Sequence, residues 1–198
     1  MTLLPLFIDL KDRRVLLVGA GSVARAKLDA LRPTGCALKV VALGIPAGFR
    51  AAAEALGADL REAPFTAKDL DGAALVVAAT NDPATNLAIA REARRRGILV
   101  NAVDDRAACD AYFAATIRRG PLTLAIGSQG GFPGLTRALR RLLEALLPEG
   151  DSPLLHRLAA ARHRCRSLPD PEARKAALDP LLTAFEATYP GALHELEP

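Results

Sequence analysis

The sequence predicts an α/β fold centred on a doubly wound parallel sheet. Three features point to it: a glycine-rich turn set between an apolar run and a helical pattern, strand-length apolar runs that alternate with helical stretches, and a change of that rhythm after residue 110.

Residues 3–10 are an apolar lead-in, and Lys11-Asp12-Arg13 is a polar turn. Residues 15–18 read as a buried strand. Gly19-Ala20-Gly21-Ser22-Val23-Ala24 joins it to a helix that carries Ala24, Leu28 and Leu31 on one face. This turn is G-x-G-x-x-A: the first glycine allows a tight bend, the second lets backbone approach a pyrophosphate, and the small third residue lets helix pack on strand. Helix N–H groups and the positive dipole end then face the anion. Gly19, Gly21, Ser22 and Val23 are therefore candidate dinucleotide-binding residues. A plain strand-to-helix turn is the competing reading, and the apolar context on both sides favours the dinucleotide.

Residues 37–43 read as a second strand. It ends at Leu43-Gly44, where such Rossmann-like folds usually carry an acidic residue for the adenosine ribose. That absence leaves NAD against NADP open on chemistry alone, with Lys39 and Arg50 as candidate partners for a ribose phosphate. A short helix over 46–56, a short strand over 58–62 and a buried strand over 73–79 follow. The last stops at Thr80-Asn81-Asp82-Pro83, where Asp82 caps the helix that Pro83 begins. Arg91, Arg94, Arg95 and Arg96 crowd that helix's last turns, suited to the negative dipole end, and Gly97 stops it.

Residues 98–103 form another strand, ending in Asp104-Asp105. Ligands of such sheets lie outside the carboxyl ends of the strands. Residues 19–23, Leu43, Gly44, Thr80, Asn81 and Asp104 are thus expected to line one crevice. Asp104 is there a candidate general base, with a capping or turn aspartate as the equal alternative from position alone. Strand alternation is expected to turn Asp105 to the opposite face.

Beyond Asp110 the pattern changes to a hairpin: strand-like runs over 112–118 and 122–127, joined by Arg119-Gly120-Pro121. A lone hairpin is marginal in water and calls for a partner surface, so a homodimer is expected. Ser128-Gln129-Gly130-Gly131-Phe132-Pro133 leads into a helix over 134–147, with Leu135, Leu139, Leu142 and Leu146 opposite Arg137, Arg140 and Arg141. Pro148 ends it, and Asp151 caps a pair of helices over 152–167 and 171–189. The expected organisation is a dinucleotide-binding domain over 1–111, a dimerisation region over 112–150 and a helical domain over 151–198.

With 51% hydrophobic and 24% charged residues, a chain of 198 residues makes one or two small globular domains. It has neither an apolar run of membrane-span length nor the start of a signal peptide, so a cytoplasmic location is expected. Cys36, Cys109 and Cys165 are isolated, and His156, His163 and His194 have no companions to complete a metal shell; no metal site is expected. The net charge of +4 comes with only 4% aromatic residues and no Trp, which argues against nucleic acid and for a small polyanionic ligand held by arginine forks.

The motifs also carry a family resemblance. Leu4-Pro5-Leu6-Phe7, V-G-A-G-S-V-A-x-x-K, A-A-T-N-D-P, N-A-V-D-D, R-G-P-L-T-L-A-I and G-L-T-R-A-L-R-R-L-L-E-A-L-L-P-E occur in an order and spacing that resemble the sirohaem synthase dehydrogenase and ferrochelatase family. The likeness spans nearly all of residues 3–150. It implies an intertwined dimer that oxidises precorrin-2 to sirohydrochlorin with NAD, and some members also insert ferrous iron. It implies that Asp104 of N-x-V-D is the important carboxylate and that Ser128 lies near the active site, against a helix-cap or turn role for that serine. Arg118 and Arg137, ahead of Arg119, Arg140 and Arg141, are candidates to hold substrate carboxylates, although exposed arginines often only solvate a face. Two positions depart from the family pattern, Phe132 before Pro133 where a serine is usual and Asn81 where aspartate is frequent. A chain ending at Pro198 has no methyltransferase domain, so the stand-alone form is expected. The alternative of another class is a non-catalytic dinucleotide sensor or assembly module.

Overall fold

A computed structural model describes residues 3–128, 132–147, 153–168 and 170–188. The stop expected at Pro148, the cap expected at Asp151, the loop residues Gln129, Gly130 and Gly131, and His194 lie outside them. The chain divides into two compact units, residues 1–113 and 114–198.

The first unit is a five-stranded parallel sheet of β1 (Arg14–Val18), β2 (Ala37–Ala42), β3 (Asp59–Glu62), β4 (Ala73–Ala78) and β5 (Leu99–Ala102), in the order β3-β2-β1-β4-β5. The central strands β1 and β4 carry buried apolar residues on both faces because both faces are covered. Val15, Leu17, Val40, Leu75 and Val77 point to one layer, shared with Ala24 and Leu28 of α1 (Ser22–Leu31) and Phe49 and Ala53 of α2 (Ala47–Glu54). Leu16, Val18, Val41, Val76 and Ala78 point to the other, shared with Ile89, Ala90 and Ala93 of α3 (Pro83–Arg95). Alternation along each strand thus assigns successive residues to opposite cores. Each fully buried Leu or Val contributes about 1.5–3 kcal/mol. The expected doubly wound α/β sheet is present. Asp82 caps α3 as predicted, accepting from the backbone N–H groups of Ala84 and Thr85, each at 3.1 Å.

A buried carboxylate ties the sheet's outer edge. Asp69 ends a capping box with Thr66, accepts from the Thr66 N–H at 2.8 Å, and pairs with Lys39 at 3.0 Å and with the Arg61 guanidinium. Burial alone pushes its pKa up, but the hydrogen bonds from Thr66, Lys39 and Arg61 win and hold it below the ordinary carboxylate value. Removing one partner of such a cluster leaves the others unpaired, so Asp69→Asn is expected to cost on the order of 3 kcal/mol. Because the folded-state pKa is depressed, this stabilisation is complete above the ordinary value of about 3.9 and is lost as pH falls through the lower folded-state value. Thermal melts of the two proteins should therefore differ at pH 7 and converge in acid; a gap that persists unchanged in acid would assign the cost to packing.

The second unit holds an antiparallel hairpin of β6 (Ala115–Arg119) and β7 (Leu122–Ile126), with Gly120 in the turn, and α4 (Pro133–Leu146) packed against it. Helices α5 (Pro153–Cys165) and α6 (Pro171–Thr188) pack on each other. Among the described residues no helix is long and apolar enough to cross a membrane.

Candidate functional site

The carboxyl ends of β1, β4 and β5 open into a cavity of about 300 Å³ lined by Gly21, Ser22, Val23, Thr80, Asn81 and Asp104, together with Ala79, Pro83, Asn86, Val103 and Asp105. It lies where strand order reverses, since β1 is flanked by β2 on one side and β4 on the other. A wider depression beside Asp12, Arg14, Asp71 and Gly72 lies at the amino ends of the strands, on the side of the sheet away from the helix N-termini.

The glycine turn is built by two different constraints. Gly19 has φ 112°, and a Cβ there would stand 2.2 Å from the Ala79 carbonyl oxygen; the turn closes only with glycine. Gly21 has φ −79°, which any residue adopts, and a Cβ there meets nothing nearer than Asn81 Oδ1 at 3.9 Å. The space over Gly21 is therefore open to a ligand, at the N-terminus of α1, and the residues present fit a dinucleotide pyrophosphate.

Opposite this turn, Asn86 organises the end of β4. Its side chain is buried, accepts from the Thr80 N–H at 3.1 Å and hydroxyl at 2.7 Å, and donates to the Thr80 carbonyl at 3.1 Å. Thr80 and Asn81 are thereby fixed on the cavity wall. Asn86 is not a candidate on the sequence alone; its place on the first turn of a capped helix, six residues beyond Thr80, is the signal that marks it.

Asp104 departs from the expected strand end. β5 stops at Ala102, and Asp104 takes φ 62°, a left-handed conformation uncommon for residues other than glycine, asparagine and aspartate. The alternation expected to separate Asp104 from Asp105 consequently does not apply, and both residues line the cavity. They differ in engagement, since Asp105 accepts from the Ala108 N–H at 3.1 Å as a cap. The segment carrying them is held from behind. The Cys109 thiol donates to the Ala102 carbonyl at 3.0 Å, Arg94 pairs with Asp110 at 2.9 Å, and Asn101 donates to the Ala111 carbonyl at 2.8 Å. Burial pushes the Cys109 thiol pKa up, so it acts as a neutral structural donor. Lys27 of α1 places its ammonium 4.3 Å from the Phe113 ring centre, and burial lowers its pKa.

Leu43 and Gly44 follow β2 at the carboxyl edge of the same sheet, beyond the lining of this cavity, with Leu43 79% exposed. Lys39 and Arg50 are reassigned, because Lys39 pairs with Asp69 and Arg50 with Glu62 at 2.6 Å. In the second unit, Ser128 Oγ accepts from the Phe132 N–H at 3.2 Å, and Arg118 and Arg137 are exposed. Arg140 is taken up by Glu144 at 2.7 Å. Among the described residues no cluster of His, Cys, Asp and Glu is arranged to hold a metal.

Glycine turn, parallel sheet and cavity at the strand ends together define a nicotinamide dinucleotide-binding α/β protein. The family described as NAD(P)-binding (NAD_binding_7) matches residues 6–115. The chain belongs to that family. A siroheme synthase of Azotobacter vinelandii is 39% identical over 180 residues, 88% of this chain and 38% of the relative. Siroheme synthase 1 of Pectobacterium atrosepticum is 43% identical over 148 residues, 75% of this chain and 31% of the relative. The chain thus spans less than two fifths of the length of these curated relatives. A solved structure of SirC, precorrin-2 dehydrogenase, is 25% identical with a TM-score of 0.70, covering 93% of this chain and 100% of that one.

Proposed function

We propose that this protein oxidises precorrin-2 to sirohydrochlorin with NAD as oxidant. What carries the reading is the cavity that brings the Gly21 backbone, Asn81 and the Asp104 carboxylate to one place. NAD, when bound, supplies the acceptor for one hydride of the substrate. Gly19, Gly21, Ser22 and Val23 hold the pyrophosphate at the α1 N-terminus, Thr80 and Asn81 line the nicotinamide side, and Leu43 and Gly44 meet the adenosine side. Asp104 takes the proton that the substrate loses with its hydride, so two hydrogens leave and a carbon–carbon or carbon–nitrogen double bond of the macrocycle is gained. Ser128, Arg118 and Arg137 hold the substrate, the arginines through its carboxylates. The location is cytoplasmic.

The experiment is direct: purified protein and precorrin-2 are incubated with and without NAD, and sirohydrochlorin is followed by its absorption. Conversion that requires NAD supports the proposal. Dinucleotide binding without conversion favours the sensor alternative. Ferrous iron added after oxidation tests whether the same chain also inserts the metal.

The assembly is a homodimer in this reading. Support comes from α4, whose Leu135, Leu139 and Leu142 are exposed, Leu142 to 51%, beside an exposed Phe132. An apolar stripe of that kind is normally covered. Leu139→Glu combined with Leu142→Glu is expected to shift the species in sedimentation from dimer to monomer. A wild-type monomer at micromolar concentration would contradict it.

A further inference from the structure

We propose that Glu62 reads the adenosine ribose and sets the preference for NAD over NADP, supplying from β3 the carboxylate that the end of β2 lacks. The inference rests on the dinucleotide site proposed above and extends it to its adenosine side.

Glu62 is the last residue of β3 and lies in register with Ala42, the last residue of β2. Its side chain reaches across to the loop after β2. One oxygen accepts from the Ile45 N–H at 3.2 Å and lies 3.8 Å from where a Cβ on Gly44 would stand. The other accepts from Arg50 at 2.6 Å. The side chain remains 47% exposed, and each carboxylate oxygen, with one bond accepted, has capacity for another. In a doubly wound sheet, pyrophosphate at the first glycine turn sends the adenosine toward the end of the second strand, where an acidic side chain accepts from the ribose hydroxyls. Here that strand ends in Ala42-Leu43-Gly44, and the small Gly44 leaves the approach to Glu62 open. Glu62 therefore occupies the position of the missing acid, twenty residues later in sequence.

The charges decide which cofactor is preferred. A 2′-phosphate brings an additional charge of about −1.5 to −2 against this carboxylate, and Arg50 beside it is already neutralised by the pair. A 2′-hydroxyl instead donates to the carboxylate. With Glu62 neutralised, Arg50 is released to meet a phosphate through its guanidinium fork.

The test is calorimetric titration of the full-length protein and two variants with NADH and NADPH. Wild type is expected to bind NADH at least about tenfold more tightly than NADPH, as like-charge juxtaposition demands. Glu62→Gln should erase that preference, with NADPH binding strengthened, while Arg50→Gln should keep NADH binding and weaken NADPH further. Equal affinity of wild type for both dinucleotides, or an equal loss of both in either variant, would overturn the inference and leave the pair as a tether between β3 and the loop after β2. Failure of wild type to bind either dinucleotide would instead overturn the cofactor site itself. Should Glu62→Gln not fold, the Arg50→Gln arm decides, since it leaves the carboxylate in place.

Discussion

Asp104→Asn is expected to lower precorrin-2 oxidation by about a hundredfold or more while NAD affinity stays near that of wild type. Asparagine is the informative substitution because position 104 has φ 62°, and asparagine accepts that backbone as readily as aspartate, whereas alanine adds strain. The change removes the proton acceptor and little else. Asp105 is the built-in comparison, since it lines the same cavity but spends an oxygen on the Ala108 N–H. Asp105→Asn should lower turnover much less. A larger loss at Asp105 than at Asp104, measured under saturating NAD, would transfer the role to the neighbour.

Gly21→Val should weaken NAD binding by roughly a hundredfold or more with the fold retained, because a valine fills the ground where backbone must approach the pyrophosphate. The backbone there accepts a Cβ: φ is −79° and the nearest atom to the new Cβ is 3.9 Å away. Gly19→Ala is the counter-case. Its Cβ would stand 2.2 Å from the Ala79 carbonyl oxygen at φ 112°, so that variant should fail to fold or melt far lower. A Gly21→Val protein that folds and titrates with NAD like wild type would remove the glycine turn from the cofactor site.

Much of this architecture was legible in the sequence because its causes are local. The apolar runs 15–18, 37–43 and 73–79 were readable as strands because both faces of this sheet are covered, and Asp82 before Pro83 announced the α3 cap. What stayed hidden depends on residues distant in sequence. Arg50 looked like a free cation until β3 brought Glu62 beside it, and Lys39 until the 3₁₀ turn Ala67–Leu70 brought Asp69. Asp104 reads as the end of a strand, but alternation does not carry over to it because the backbone turns left-handed two residues after β5. Pattern along one strand reports faces of a sheet only while the chain remains a strand.

The central claim is that the cavity over Gly21 and Asp104 removes a hydride and a proton from precorrin-2. Anaerobic single turnover with excess NAD tests it most directly, with NADH and sirohydrochlorin followed together. Equimolar formation of the two is expected from the wild-type chain, with neither formed at a comparable rate by Asp104→Asn. A chain that binds NAD yet leaves precorrin-2 unchanged would contradict it.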